Sequence, residues 1–529
     1  MMKKKYRILL LSLKIICLIT AISNTANASI QGRVAALIQS HEIRETAYAI
    51  SIFDTSKQKY LVKINQDKAM IPASNMKILT TASAIHLLGP DFQFKTYAYL
   101  LKPSDWKNTL NTAGNKYAKG VTLVIKGDGD PSLGDPELFK RLGYKISQDG
   151  KKIPYQIQVN GKMRSFESVK HYLNDWVKTI QSQNVKTIDY LMIDDRVFNN
   201  QRIHPSWKKE DLNRWYAAEV SGFNFHNNCL DVFPMPTHRG QNTVVKISPS
   251  SNYISNQSRN ISKTGSRNTF WVSRKSGTNQ MVFRGEIKSK RKHPISVTVH
   301  DPALFFAHVL AEKLARKGII VKHIGKPKAT DLLPLTRRVI IRKEIQDLAV
   351  ILNRCNKNSQ NLYAESLIKR MGRAKTGTPG SWGNGAAAMR DYLRTKLGMR
   401  IAAIKIVDGS GLSQDNRVSA SDFSLLLYEM LRETKLKRTL FFNSLSVGGT
   451  DGTLKKRFKG VLKGRVYAKT GTIQGVRCLS GYLWLKPLKD QRVITFSLMF
   501  NQIKYPVSGS KILRLQEKIL LLIDKDLSK

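Results

Sequence analysis

Cysteine, acid and long apolar runs are all scarce in this chain. There are four cysteines, Cys17, Cys229, Cys355 and Cys478, far apart in sequence. Such spacing excludes a disulfide framework and a Cys-rich zinc site. No C-x-x-C, H-E-x-x-H or Walker loop occurs, which removes dithiol redox, zinc-peptidase and P-loop chemistry. Neither metal nor other cofactor is expected. Beyond the first 28 residues, no stretch is long and apolar enough to cross a bilayer. Acids number 38 against 88 Lys and Arg, a formal net charge of +50.

What is present suits a folded, exported protein. Apolar residues make up 41% of 529 residues, enough for packed cores in two to four domains and too many for overall disorder. At the N-terminus, Lys3, Lys4, Lys5 and Arg7 precede an apolar run, Ile8 to Ile22, broken by Lys14. Ala26-Asn27-Ala28 follows, a small-x-small signature. This reads as an export signal, residues 1–28, cut after Ala28. The alternative is an uncleaved anchor, for which the run is short. Removing its five cations leaves the mature chain at +45. A field of that size attracts polyanions. For an exported chain, periplasmic or in the cell envelope, the expected polyanion is a wall or membrane surface and not nucleic acid.

Periodicity changes along the chain. "TAYAISIFD" and "KYLVKIN" read as strands, and "SNMKILTTASAIHLLG" as a helix between Pro72 and Gly89-Pro90. Residues 96–298 are rich in short β-branched segments, with one helix near "SVKHYLNDWVKTIQ". The basic stretch "KSKRKH" reads as a solvated face. From residue 301 helical spacing returns, in "PALFFAHVLAEKLARKGI", "LAVILNRCNKNSQNLYAESLIKRMG" and "AAAMRDYLRTKLGM". The end holds the strands "RVYAKTG", "VRCLSGYLWL" and "RVITFSLMF". A last helix, "KILRLQEKILLLI", is expected to pack on the sheet.

Three short patterns carry chemistry. Ser74 and Lys77 stand three apart at a helix start, so the hydroxyl and the amine can meet. A serine is a poor nucleophile until a base takes its proton, and a buried lysine can be that base. Ser359-Gln360-Asn361 adds a hydroxyl and an amide at a loop-to-helix junction. The pentapeptide "AKTGT" occurs twice, at Ala374–Thr378 and Ala468–Thr472. The lysine of such a strand supplies charge for a substrate carboxylate, and its glycine permits close approach. Lys469 lies among strands. Lys375 follows a helix and precedes "PGSWGNG", which reads as a surface loop. Lys469 with Thr470, Gly471 and Thr472 is therefore the expected active-site copy.

In this order the trio S-x-x-K, S-x-N and K-T-G resembles the class C low-molecular-mass penicillin-binding proteins, D-alanyl-D-alanine carboxypeptidase/endopeptidases. Further likeness lies in "GDGDPSL", "IDDRVF", "GTPGSWGNGA", "DGSGLS" and "GGTDGTLKKRF". The resemblance implies an α+β fold: a β-lactamase/transpeptidase-like domain, an antiparallel sheet flanked by helices. It would be split by a mainly β insertion, into residues 29–95, 96–298 (possibly two nested domains) and 299–529. It also implies Ser74 as nucleophile, Lys77 as general base, and Ser359 and Asn361 as catalytic assistants. Lys469 and Thr470 would hold the substrate carboxylate, and the N–H groups of Ser74 and Thr472 would form the oxyanion hole. Asp195 and Phe198 would lie near the substrate's side-chain end. The implied partners are peptidoglycan stem peptides and β-lactam antibiotics. Three departures stand out: Gln360 where Asp is common, Gln414 where Arg is common, and an apparent insertion at 141–165. A β-lactamase-like hydrolase, or a non-catalytic wall- or polyanion-binding protein, remains the rival reading.

Overall fold

The computed structural model describes residues 29–106, 120–140, 145–146, 152–153, 155–255, 258–334, 339–398, 404–485 and 492–528. The expected export signal lies outside them. Helix α1 (Ile30–Ser40), the hairpin β1 (Ala47–Asp54) and β2 (Lys59–Ile64), and helix α2 (Met76–Leu87) come first. Next come β3 (Gln93–Leu101), β4 (Thr122–Lys126), β5 (Gln156–Val159), β6 (Lys162–Ser165), α3 (Val169–Gln181) and β7 (Thr187–Asp194). After shorter strands follow α4 (Pro302–Ala315), β8 (Ile320–Gly325) and β9 (Ile340–Asp347). A helical stretch holds α5 (Leu348–Lys357), α6 (Asn361–Thr376), α7 (Trp382–Leu397), α8 (Ala420–Arg432) and α9 (Lys435–Ser444). The chain closes with β10 (Ser446–Val447), β11 (Val466–Ile473), β12 (Val476–Trp484), β13 (Val493–Asn501) and α10 (Gly509–Leu527).

The site is built on a six-stranded antiparallel sheet, order β2-β1-β13-β12-β11-β10. Side chains alternate between faces along a strand. In β13, Ile494, Phe496, Leu498 and Phe500 pack with α1 and α10, whereas Val493 and Met499 face the helical layer of α2 and α8. Both faces are covered, which explains why "VITFSLMFN" is buried at every position. Each such large apolar side chain contributes about 1.5–3 kcal/mol. The closing helix packs on the sheet as its apolar stripe requires, through Ile512, Leu515, Ile519 and Ile523.

The second sheet has seven strands, order β8-β7-β4-β3-β9-β5-β6. Its core joins Leu123 and Ile125 of β4 to Tyr172 and Trp176 of α3 and to Phe305, Phe306 and Leu310 of α4. The structure therefore differs from the expected boundary at residue 298. Helix α4 and strands β8 and β9 share the sheet and core of the inserted region, which runs from Gln93 to Asp347. Part of the apparent 141–165 insertion is the hairpin β5–β6, which extends this sheet beside β9. The helical run 348–372 is two helices, α5 and α6, broken at Ser359 in keeping with the loop-to-helix junction expected there; the φ of Ser359, 57°, is left-handed.

Candidate active site

Ser74 lies in a single 3-10 turn, Ala73–Asn75, that leads directly into α2. Ala73 holds φ at 47°, a conformation costly for a residue with a Cβ. The turn is clamped on two sides. A Cβ on Gly411 would fall 1.8 Å from the Ala73 carbonyl oxygen, and one on Gly471 would fall 2.6 Å from that of Pro72. Glycine at both positions lets two backbone segments close on the turn that carries Ser74. Asn75 ties the same turn to β12, donating to Ser480 Oγ at 2.7 Å.

Lys77 is one helical turn on and completely buried. Its Nζ sits 3.1 Å from Ser74 Oγ, 2.7 Å from Asn361 Oδ1 and 2.9 Å from the Ser410 carbonyl. The last two groups only accept, so they claim two N–H bonds of the amine. The third direction faces the Ser74 hydroxyl. An ammonium would donate to it, and a neutral amine would accept its proton. Burial lowers Lys77 to about 8, opposed by Cys355, Glu365 and Asp408. Asn361 is held in turn by donating from Nδ2 to the Tyr216 carbonyl at 2.7 Å.

Lys469 on β11 is also buried. It donates to Ser359 Oγ and to the Thr470 carbonyl, both at 2.8 Å. Burial, with Lys77 adding repulsion, holds its amine well below the ordinary lysine range. Lys469 itself does not line the cleft, but its amine reaches Ser359, which does. Strand β10 pairs with β11 only at Tyr467 and Ala468, so the edge of β11 from Lys469 onward is left to border the cleft. The cleft holds about 1120 Å³ and is lined by Ser74, Ser359, Asn361, Thr472, Gln414 and Arg477. Its far wall comes from the inserted region, Lys208–Asp211 with Trp215 and Tyr216.

A cleft-lining serine on a buried lysine, a second hydroxyl held by a second lysine and an open strand edge suit acyl transfer. Among the described residues no cluster of His, Cys, Asp and Glu could hold a metal ion. The profile of the D-Ala-D-Ala carboxypeptidase 3 (S13) family matches residues 30–517. The chain belongs to the S13 family. This S13 chain is 26% identical over 465 residues to the D-alanyl-D-alanine carboxypeptidase of Actinomadura sp. (strain R39), covering 85% of this chain and 77% of that one. It is 24% identical over 436 residues to D-alanyl-D-alanine carboxypeptidase DacB of Haemophilus influenzae, covering 81% and 80%. The crystal structure of penicillin binding protein 4 (dacB) from Haemophilus influenzae superposes with a TM-score of 0.71 at 19% identity, over 94% of this chain and 99% of that one. That likeness establishes the α+β, transpeptidase-like fold.

Other expected site residues of this S13 chain lie elsewhere. Asp195 is buried outside the cleft lining, accepting from Ser221 Oγ and Lys326 Nζ, each at 3.0 Å. Phe198 is buried where Gly129 and Gly380 leave room for its ring. Both are packing residues between loops and not part of the cleft wall. The second AKTGT copy is also not a loop throughout. Lys375 and Thr376 form the last turn of α6, which Gly377 ends at φ 71°. As expected, Lys375 is on the surface, with its side chain 54% exposed and Nζ 3.1 Å from Asp391. Lys375→Ala should leave stability within about 0.5 kcal/mol and acylation within about threefold. Thermal melts with labelled-penicillin kinetics check this, and a crippled Lys375→Ala would reverse the assignment of the two copies.

Sequence reasoning missed Ser410, Tyr216 and Glu365. The first two act through backbone carbonyls, which no side-chain pattern reveals. Glu365 had a signal, because it stands four residues after Asn361 and so shares its helix face.

Proposed function

We propose that this S13 enzyme is a serine D-Ala-D-Ala carboxypeptidase/endopeptidase that cleaves peptidoglycan stem peptides through an acyl-enzyme on Ser74. The observation that carries the reading is Lys77, with two of its three bonding directions taken by acceptors and the third on Ser74 Oγ. Neutral Lys77 takes the hydroxyl proton while Ser74 Oγ forms a bond to the carbonyl carbon between the two D-alanines. The N–H groups of Ser74 and Thr472 receive the oxyanion. Collapse breaks the C–N bond, and the departing amine takes the proton back from the Lys77 ammonium, with the cleft-lining Ser359 hydroxyl assisting. Water then hydrolyses the ester, with Lys77 and Asn361 in the same places. The leaving residue's carboxylate lies along the β11 edge at Thr470, Gly471 and Thr472, with the Lys469–Ser359 pair behind it. A β-lactam enters by the same attack on its ring amide.

The compartment fits this substrate. An exported chain cut after Ala28 meets the wall, and a mature charge of +45 draws it to anionic wall or membrane surfaces. N-terminal sequencing of the exported protein should begin at Ser29.

Labelled penicillin and peptide mapping test the mechanism. Label should fall on Ser74 and persist. Rapid release of hydrolysed antibiotic would favour the β-lactamase reading, and absence of label from folded protein would favour a binding protein. The acylation rate should also rise with pH. The base works when neutral, and Lys77 titrates at about 8. Each unit below that removes about tenfold of the neutral form, so pH 6 should be roughly 100-fold slower than the plateau.

A further inference from the structure

Behind Ser74 and Lys77 lies a buried carboxylate that these steps do not use. Glu365 is 0% exposed. Its oxygens accept from Trp382 Nε1 at 2.7 Å, the Gly409 N–H at 3.0 Å and the Ser410 N–H at 2.8 Å. Ser410 is also the residue whose carbonyl accepts from Lys77 at 2.9 Å. One residue thus meets the carboxylate with its N–H and the catalytic amine with its C=O. Asp408 anchors the next part of the loop, accepting from the N–H groups of Gly411 at 2.8 Å and Ser413 at 2.7 Å. The two carboxylates divide the loop between them.

We propose that Glu365 is a positioning residue for the acyl-transfer reaction. It fixes the Gly409–Ser410 backbone against Lys77 and, as a buried anion, sets the pH at which that amine becomes free to take the Ser74 proton. The inference rests on Lys77 being the general base.

The charged surroundings are few. Lys77 faces Cys355 from α5, Glu365 from α6, Asp408 from the loop and Lys469 from β11. Glu365 faces Asp408 and, from its own helix, Lys369, which burial lowers to about 7 and whose amine lies 4.0 Å over the Trp382 ring. Burial and the Asp408 carboxylate push Glu365 up to about 7, so it is ionised over the alkaline range in which Lys77 becomes neutral. An anion there favours the protonated amine. Neutralising Glu365 must therefore move the deprotonation of Lys77 to lower pH. Glutamine keeps the size but not the fit. Both carboxylate oxygens accept N–H bonds, and an amide NH₂ would meet one of those donors head-on.

The experiment is the rate of acylation by labelled penicillin from about pH 5 to 10 for wild type, Glu365→Gln and Glu365→Asp, each checked by circular dichroism. Glu365→Gln should lower the alkaline plateau at least ~10-fold and shift the midpoint of the rising limb down by about one pH unit. Glu365→Asp keeps the charge one methylene short. It should lower the plateau and leave the midpoint within ~0.3 of wild type. A purely structural role would lower the plateau in both variants without moving either midpoint. An unmoved or raised midpoint in Glu365→Gln, or a plateau within about twofold of wild type in Glu365→Asp, overturns the proposal. If Glu365→Gln does not fold, Glu365→Ala takes its place, with the same downward midpoint shift expected and an unmoved midpoint overturning the proposal. A wild-type enzyme that takes no label at Ser74 sinks the acyl-enzyme reading and this inference together, whereas normal wild-type labelling with an unshifted variant sinks this inference alone.

Discussion

Lys77→Ala is expected to slow acylation of Ser74 by about 10²–10⁴-fold, the usual contribution of a positioned acid–base group. Its effect on stability has two opposed parts, the cavity and unpaired acceptors it leaves and the buried charge it removes. Burial lowers Lys77 from 10.5 to about 8 in the folded protein. The unfolded chain therefore binds the proton more tightly than the native one. The resulting destabilisation, on the order of 3 kcal/mol, is fully present below about pH 8 and is gone above the unfolded value. Lys77→Met keeps the stem's volume and removes that burden. It also leaves the Asn361 Oδ1 and Ser410 carbonyl acceptors without their donor, so it should melt near the wild-type temperature at pH 7 while acylating as poorly as the alanine variant. Rapid mixing with labelled penicillin gives the rate, and calorimetry at pH 7 and pH 9 gives the stability. An acylation rate within tenfold of wild type would mean that another group takes the Ser74 proton.

Asp135→Ala is expected to be the most damaging single change to stability. Asp135 is 0% exposed. It belongs to the inserted region, yet it accepts from Arg354 Nε of α5 and Tyr363 OH of α6, both at 2.7 Å, and from Asn227 Nδ2 at 2.8 Å. Burial raises such a carboxyl, but the Arg354 guanidinium and these hydrogen bonds bring it below the usual range. Truncation leaves the 5%-exposed Arg354 without its counter-ion. Breaking a buried pair in this way costs about 3–5 kcal/mol. The double change Asp135→Leu with Arg354→Met should recover most of the loss, because neither charge then stays behind. Thermal unfolding of the three variants measures it. Asp135→Ala melting like wild type would show that the pair contributes nothing to holding the inserted region against the helices.

The candidate catalytic groups were legible in the sequence because each is a local pattern. Ser74 and Lys77 are one helical turn apart, Ser359 and Asn361 flank a helix start, and Lys469 stands in a strand. The choice between the two AKTGT copies also rested on local cues, strands on one side and glycine with proline on the other. What failed was longer in range. Strand β9 hides its end of the inserted region by inverting the usual alternation. Its buried positions include Arg342, Glu344 and Gln346, while Ile340 is exposed. The buried charges are matched from α3, where Asp175 pairs with Arg342 and the Trp176 ring lies 4.5 Å from its guanidinium. Hydropathy cannot register a core assembled from ion pairs and rings. That Asp195 and Phe198 are buried outside the cleft lining was hidden for a related reason. Nothing in a residue's own neighbourhood says whether it faces a cleft or a packed loop. Lys469 was placed on the correct strand, but the direction of its amine depends on Ser359, 110 residues earlier.

The six-stranded sheet also imposes a schedule on synthesis. Strand β1 lies between β2 and β13, and Ala47 pairs with Asn501, 454 residues later. Translation at about 5–20 residues per second leaves that hairpin edge without its partner for roughly 20–90 s. The inserted region, whose strands all lie between these two, can finish its own sheet in the meantime. The turn that carries Ser74 emerges early, but β11 and β12, which must close beside it, emerge near the end. The enzyme is therefore inert until its C-terminal strands have left the ribosome and docked. A chain truncated before β11 would carry Ser74 and Lys77 yet take no penicillin.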